Sequence, residues 1–333
     1  MLLVPGLVLC ATSESTWGQI PEMFDPAGPN AESVRSVFWL VLAVCTVIFI
    51  VVGGTILAFV IRFRERTIDA ETEPPQFYGS QPIELAWTLA PALTVLMLAL
   101  VVIRSVIELR TAPPMQHDQR VRVVGHQWWW EFEYPDYGFS TANELVIPVS
   151  EGDQRRSIHL QLESADVIHS FWVPRLAGKT DLIPAKTNEM WLAADQEGTY
   201  FGRCAEYCGT QHAKMLIRVD VVSEAAFVQW VEQQKKPAAW NQAVQTGHDR
   251  FMELACANCH TIRGTDARGR FGPDLTHLMS RHALASGIME NTQANLTRWI
   301  KNPNLDKAGC RMPNMRLSDE DVQAIVDYLL TLR

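Results

Sequence analysis

The sequence predicts a multidomain membrane protein made of a two-helix transmembrane hairpin, an all-β sandwich or barrel, and an all-α tail. Three observations carry that prediction. Two apolar runs, residues 37–63 and 83–103, contain one charge each, Arg62 and Glu84 respectively. From Val121 onward, apolar and polar residues alternate at the period of a strand. Near the C-terminal end Val322, Ile325, Val326, Leu329 and Leu330 recur at the period of a helix.

Composition narrows the function classes. The chain has 333 residues and a net charge of −8 with no basic block, so it lacks the clustered Lys and Arg that nucleic acid demands. Hydrophobic residues at 47% and charged ones at 20% exclude a disordered chain. Seven cysteines are too few for a disulfide scaffold at this length.

Residues 1–33 form a leader on the outer side. Its first ten, MLLVPGLVLC, are apolar but lack Lys and Arg, which makes a weak signal peptide. Cys10 follows Leu9 where a lipid-anchor cysteine follows a small residue, so an ordinary leader cysteine is expected. The hairpin covers 34–108, with spans at about 37–63 and 83–107, each reaching the ~20 residues that cross a bilayer. Arg62, Arg64 and Arg66 sit at the connector, against Arg35 alone before the first span. The positive-inside bias places the connector in the cytoplasm and both ends outside. In a bacterium this is the plasma or inner membrane, with the C-terminal domains on the periplasmic or extracellular side.

Residues 115–222 read as the β domain, with short strands separated by Gly, Pro, Asp and Ser. A polar helix and linker come next at 223–241, ending near Pro237, and the helical tail occupies 242–333. Ser318 is placed to cap the final helix, with Asp321 at the box position.

Two constellations carry chemistry. Cys204, Cys208, His212 and Met215 put two thiols, an imidazole and a thioether within twelve residues. That soft set suits copper better than magnesium or calcium. Zinc accepts the thiols and histidine but seldom a methionine, and a Cys204–Cys208 disulfide leaves His212 and Met215 unexplained. The second, Cys256-Ala-Asn-Cys259-His260, is the C-x-x-C-H attachment signature of a c-type haem. A thioredoxin-like dithiol shares C-x-x-C but leaves His260 without a role.

The first constellation resembles the CuA domain of cytochrome c oxidase subunit II, matching C-x-E-x-C-x3-H-x2-M, with Asp166-Val-Ile-His169-Ser-Phe171 resembling its upstream segment. The resemblance implies a cupredoxin-like Greek-key fold and a binuclear copper centre. His169, Cys204, Cys208, His212 and Met215 would bind through side chains and Glu206 through its backbone carbonyl. The Glu206 carboxylate would reach a magnesium shared with subunit I. Gly125-His-Gln-Trp128-Trp-Trp130 resembles the family segment whose first tryptophan serves electron input, here Trp128; packing is the alternative role. Glu84-Leu-Ala-Trp87 resembles the family's E-x-x-W, which implies a proton-uptake entrance at Glu84.

The tail resembles a class I cytochrome c. Gly272-Pro273-Asp-Leu275 is similar to the loop whose proline carbonyl holds the proximal histidine. By that resemblance Cys256 and Cys259 attach haem c, and His260 and Met312 ligate its iron, with Met315 the competing distal ligand. Met279 and Met289 are expected in packing, as are His117, His126 and His159 on strands or the surface. Cys45 and Cys310 belong to no motif.

Together these resemblances imply the cytochrome-c-fused subunit II of a haem–copper oxidase. Its partners would be subunit I, subunit III, membrane lipid, and a respiratory donor such as a cytochrome c or a cytochrome bc-type complex. The implied reaction is reduction of oxygen to water coupled to proton pumping, the catalytic site lying on subunit I. The alternative is an electron-input subunit of another haem–copper enzyme, such as a nitric oxide reductase. A copper chaperone, which would need neither Met215 nor a haem, fits least.

Overall fold

A computed structural model describes residues 22–64, 76, 78–111, 119–150, 156–239 and 241–333. Cys10 of the leader, Arg66 of the connector, and His117 lie outside them.

The hairpin is two long helices, α1 (Pro29–Arg62) and α2 (Gln81–Arg110), each with a proline in its first turn, where no N–H is needed. Their apolar side chains point outward: Phe49 is 77% exposed and Ile61 69%. In water such a surface would be untenable, so lipid or other subunits must cover it. Helix α1 begins eight residues before the apolar run, because its first turn belongs to the β domain. The Asn30 side chain donates to the Trp191 carbonyl at 2.8 Å, and Ala27 and Ala31 are buried. Gly28 is obligatory there, since a Cβ would fall 2.1 Å from the Ala193 oxygen. The end of the leader is therefore not a separate segment: residues 25–31 are stitched to the β domain.

Among the described residues, ten strands form that domain: β1 (Gln119–His126), β2 (Trp129–Tyr134), β3 (Phe139–Ala142), β4 (Glu144–Pro148), β5 (Ile158–Ser164), β6 (His169–Trp172), β7 (Thr180–Leu182), β8 (Asn188–Leu192), β9 (Gly198–Cys204) and β10 (Leu216–Val222). They make two five-stranded sheets, in the orders β3-β2-β1-β5-β8 and β4-β10-β9-β6-β7. Two pairings are parallel, β1 with β5 and β10 with β4, and the remainder are antiparallel. Trp130, Phe132, Leu145, Leu160 and Phe171 fill the space between the sheets. The short β3 and β7 carry too few residues to show alternation in sequence.

Helix α3 (Glu224–Gln234) is capped by the Ser223 hydroxyl, which accepts from the Ala226 amide. The sequence reads it as part of a linker, but Phe227 and Val231 are buried in the β-domain core, and Trp230 lies edge-on to Tyr134 at 5.2 Å. The spacer proper is only the few residues after it. Even these are tied down: Arg263 donates to the Gln234 carbonyl, and His277 Nε2 bonds the Lys236 carbonyl at 3.0 Å.

The tail contains α4 (Gln245–Glu253), α5 (Cys256–Cys259), α6 (Gln293–Lys301) and α7 (Asp319–Leu329). Ser318 caps α7 as expected, its hydroxyl accepting from the Asp321 amide, and Val322, Ile325, Val326 and Leu329 are buried. Helices α4 and α7 cross closely at Gly247, where a Cβ would meet the Ala324 oxygen at 2.0 Å. Met279 and Met289 pack on this core. The tail is not purely helical: β11 (Ala283–Leu284) and β12 (Met289–Glu290) form a hairpin whose strands are too short to read from sequence.

Candidate functional site

The loop after β9 and the start of β6 converge at one end of the second sheet. Backbone bonds fix the approach: Cys204 N–H donates to the Met215 carbonyl and Ala205 N–H to the Ser170 carbonyl, both at 3.0 Å. Donor atoms of His169, Cys204 and Cys208, all three buried, lie within 4.8 Å of one another. His212 Nδ1 stands 3.5 Å from the Cys208 sulfur, and the buried Met215 sulfur is 3.9 Å from it. The Glu206 carbonyl accepts from the Cys204 thiol at 3.2 Å, while its side chain is exposed. Both thiols are free, so the disulfide alternative is absent from this structure.

The charges suit a cation. The hydrogen bond from Cys208 holds the Cys204 thiol far below its ordinary value, and that same thiolate pushes Cys208 up. Burial pulls the His169 imidazolium down, but hydrogen bonds to Asp166 and Cys204 outweigh it and leave it raised. Burial likewise works against the Asp166 carboxylate. Three hydrogen bonds, from His169 and from the amides of Gln127 and Val167, overcome this and lower it. Because His169 Nε2 is engaged by Asp166 at 2.8 Å, its Nδ1 is the nitrogen left facing Cys204. Asp166 fills a motif in sequence; its role in fixing the ring is visible only in space.

Trp128 belongs to this site. It is 8% exposed and its indole N–H donates to the Cys208 carbonyl at 2.9 Å, joined there by the Gln127 side chain at 2.8 Å. Two glycines make the approach possible. A Cβ on Gly125 would lie 2.8 Å from the His169 ring, and Gly209, at φ +112°, passes 3.0 Å from the Trp128 ring by the same measure.

The second site lies in the tail. Cys256 and Cys259 occupy one helical turn, and His260 Nδ1 donates to the Pro273 carbonyl at 2.8 Å, leaving Nε2 for an iron. Burial pushes the His260 imidazolium down, which favours the neutral, ligating ring. Gly272 lies against that ring, where a Cβ would be 2.6 Å from Cε1. Met312 is half-buried and Met315 is 42% exposed. The sets therefore fit both groups: soft donors gathered around two buried thiols, and a paired thiol turn beside an oriented imidazole.

Other expected positions are accounted for. Glu84 lies in the first turn of α2, at the connector end. His126 stacks on Trp129 and His159 bonds Ser157, as strand histidines. A further group, Glu144, Asp220 and His282, could reach a cation, but its acids are engaged already. Arg218 holds Asp220, and Glu144 accepts two amides.

Comparison with known proteins matches three stretches of the chain. Residues 15–104 match the family profile described as cytochrome C oxidase subunit II, transmembrane domain, and residues 138–222 its periplasmic domain. Residues 244–333 match cytochrome c. A cytochrome c oxidase subunit 2 of Alkalihalophilus pseudofirmus is 33% identical over 318 residues, spanning 93% of this chain and 90% of that one. Another from a Bacillus species is 33% identical over 291 residues, spanning 81% and 80%. Among solved structures, the periplasmic domain of subunit II of cytochrome oxidase of Bradyrhizobium japonicum is 34% identical. It covers 38% of this chain and 97% of that one, with a TM-score of 0.34.

Proposed function

This chain belongs to the cytochrome c oxidase subunit II family, with a cytochrome c domain fused at its C-terminal end, and we propose from that premise how its residues serve electron transfer. It is the electron-input subunit of a haem–copper oxidase and works in a complex with other oxidase subunits. Its domains imply a CuA copper centre and a haem c, and its two apolar helices a membrane protein with the C-terminal domains outside.

In our reading His169 and His212, each through Nδ1, together with Cys204, Cys208, Met215 and the Glu206 carbonyl, would hold the binuclear copper centre. Cys256 and Cys259 would attach the haem, and His260 Nε2 and Met312 would hold its iron, Met315 being the more exposed competitor. When bound, these groups supply one-electron redox chemistry. Trp128, whose indole N–H donates to the Cys208 carbonyl, would be the residue through which electrons reach the copper donors. The exposed Glu206 carboxylate is free to meet a magnesium at subunit I, and Glu84 marks a proton-uptake entrance on the cytoplasmic side. The chain takes electrons from a respiratory donor, a cytochrome c or bc-type complex, and passes them to subunit I in the plasma membrane. There oxygen is reduced to water with proton pumping; subunit III and lipid complete the assembly.

The observation that carries this reading is the convergence of six donors with both thiols free. Metal analysis of the purified oxidase should find two coppers per subunit II, and spin resonance should show one electron shared between two nuclei. His212→Ala should leave the haem reducible while oxygen uptake stalls. A single zinc, or normal oxygen uptake by that variant, would overturn the reading.

A further inference from the structure

A lysine from the tail ends inside the copper domain. Lys307, in the loop after α6, is 3% exposed, yet an ammonium group is among the costliest to bury. Its Nζ donates to the carbonyls of Trp128 at 2.7 Å, Lys214 at 3.1 Å and Ala285 at 3.1 Å. Three protons meet three acceptors, and two of those acceptors belong to the copper domain. Trp128 is the proposed input residue, and Lys214 stands between His212 and Met215.

A second buried charge crosses in the opposite sense. Glu144 of β4 is 7% exposed, and its Oε1 accepts from the amides of His282 at 2.8 Å and Ala283 at 3.1 Å, both in the tail. Between these two points the contact is continuous. Gln211 donates to the Ala308 carbonyl at 2.6 Å, Lys214 Nζ to the Asp306 carbonyl at 2.8 Å, and the Leu216 amide to the Ser286 carbonyl at 3.3 Å. Arg311, next to Met312, donates to Gln127, whose amide group bonds the Cys208 carbonyl.

Transient electron-transfer partners meet through small, wet, exposed surfaces that tolerate many orientations. Buried charges satisfied by named backbone atoms do the reverse, since any other orientation leaves a buried charge unpaired. We infer that Lys307 is a positioning residue that seats the haem domain in one register over Trp128, closing that face of the copper domain to any outside donor. Glu144 sets the same register from the other side. The inference rests on the electron-relay reading above. It adds that a soluble donor must deliver its electron to the haem domain, because the tryptophan beneath is covered. Lysine suits the place: its apolar stem tolerates burial, and its compact ammonium caps three carbonyls that a planar guanidinium fork would not match.

The test uses the purified oxidase with Lys307→Met, Glu144→Ala, and Lys301→Met as a surface control. Hydrogen exchange at the His282, Ala283 and Leu216 amides reports the seat directly. In Lys307→Met their protection should fall by about 10- to 100-fold, the range for losing hydrogen bonds to a charged group. Haem-to-copper transfer after rapid reduction should slow in the same variant, with both absorption spectra unchanged. The wild-type transfer rate should hold from low salt to about 1 M, where screening reaches ~3 Å. In Lys307→Met it should become salt-dependent. Wild-type protection and transfer rate in a fully loaded Lys307→Met would overturn the inference, as would steep salt dependence of the native enzyme. If Lys307→Met fails to load haem, Glu144→Ala decides by exchange at the Leu216 amide and by the transfer rate, since the His282 and Ala283 amides lose their acceptor in that variant directly. Missing copper or haem in the native protein would count against the function reading alone, since amide exchange still reports the seat.

Discussion

The copper and haem sites are both built around a histidine held by a polar partner and grazed by a glycine, yet they differ in what completes them. In the copper domain the candidate side-chain donors sit on or between strands, Cys208 and His212 in the loop that joins β9 to β10. Cys204 ends β9, His169 begins β6, and Met215 is buried immediately before β10. Cys204, Cys208 and Met215 are members of the same core as Trp130 and Phe132. In the haem domain only the proximal side is fixed, through His260 and Pro273. The distal candidate, Met312, lies in the irregular stretch between Gly309 and Ser318. The copper donors are held by the polypeptide, whereas no helix or strand holds the distal haem candidate. That contrast makes the response to cofactor loss the sharpest test.

The largest effect is expected from preventing haem attachment. Cys256→Ala with Cys259→Ala should unfold much of the tail, because its apolar core is small and separate from that of the β domain. Protease should then cut within 302–318 and spare 119–222. Stripping copper, by contrast, should lower the melting temperature of the β domain while leaving its strand signal intact. Equal loss of both domains in either experiment would erase the distinction.

A smaller, matched pair of effects should come from the glycines. Gly272→Ala and Gly125→Ala each drive a methyl into a site histidine, an overpacking that costs about 1–3 kcal/mol. In Gly272→Ala the His260 ring must move off the Pro273 carbonyl, so the haem spectrum should change along with stability. In Gly125→Ala the Asp166 bond and β6 hold His169, and the sheet should yield instead, with copper spectra altered less than thermal stability. Unchanged melting in both variants would show that the close approaches are easily relieved.

Most of the candidate donors could be proposed from sequence because they fall in two short runs, whereas His169 and Met312 lie far from those runs and were named through the resemblance. Cys204 through Met215 and Cys256 through His260 are short runs whose residue types announce their chemistry, and the loop context supplies the convergence. The hairpin was legible too, from apolar length and three arginines. What stayed hidden depends on distance along the chain. Lys307 reads as an ordinary solvated lysine, and nothing near it in sequence points to Trp128, 179 residues away. Glu144 sits in a strand whose five residues are all buried, where a charge reads as an anomaly without a partner. Helix α3 carries enough charge and glutamine to pass for a linker, although Phe227, Trp230 and Val231 dock it. Asn30 and Gly28 look like leader residues because the part of the β domain they touch, at Trp191 and Ala193, lies far along the chain.

The smallest expected effect concerns pH at the contact between the domains. Burial raises the Glu144 carboxyl to about 7, while hydrogen bonds from the His282 and Ala283 amides and the nearby Arg281 pull it back. A carboxyl raised on docking binds its proton more tightly when docked. The docked state therefore keeps its full stability below the ordinary value of 4.5, and loses it as pH rises towards about 7. At 1.36 kcal/mol per unit the ceiling is on the order of 3 kcal/mol. Asp220, held by Arg218, and His282 also face this carboxylate. Burial lowers His282, so its contribution runs the other way below pH 6.5, but it is common to both proteins compared. Lys307, lowered by burial to about 7, titrates at the upper edge of this window and is likewise common to both. Glu144→Gln keeps an acceptor for the two amides and removes the charge, so it should flatten the slope between about pH 5 and 7 that the native protein shows. The readout is amide exchange at His282 and Ala283 across that range. A difference of zero between the two proteins would mean that Glu144 stays ionised on docking, held so by Arg281 and the two amides.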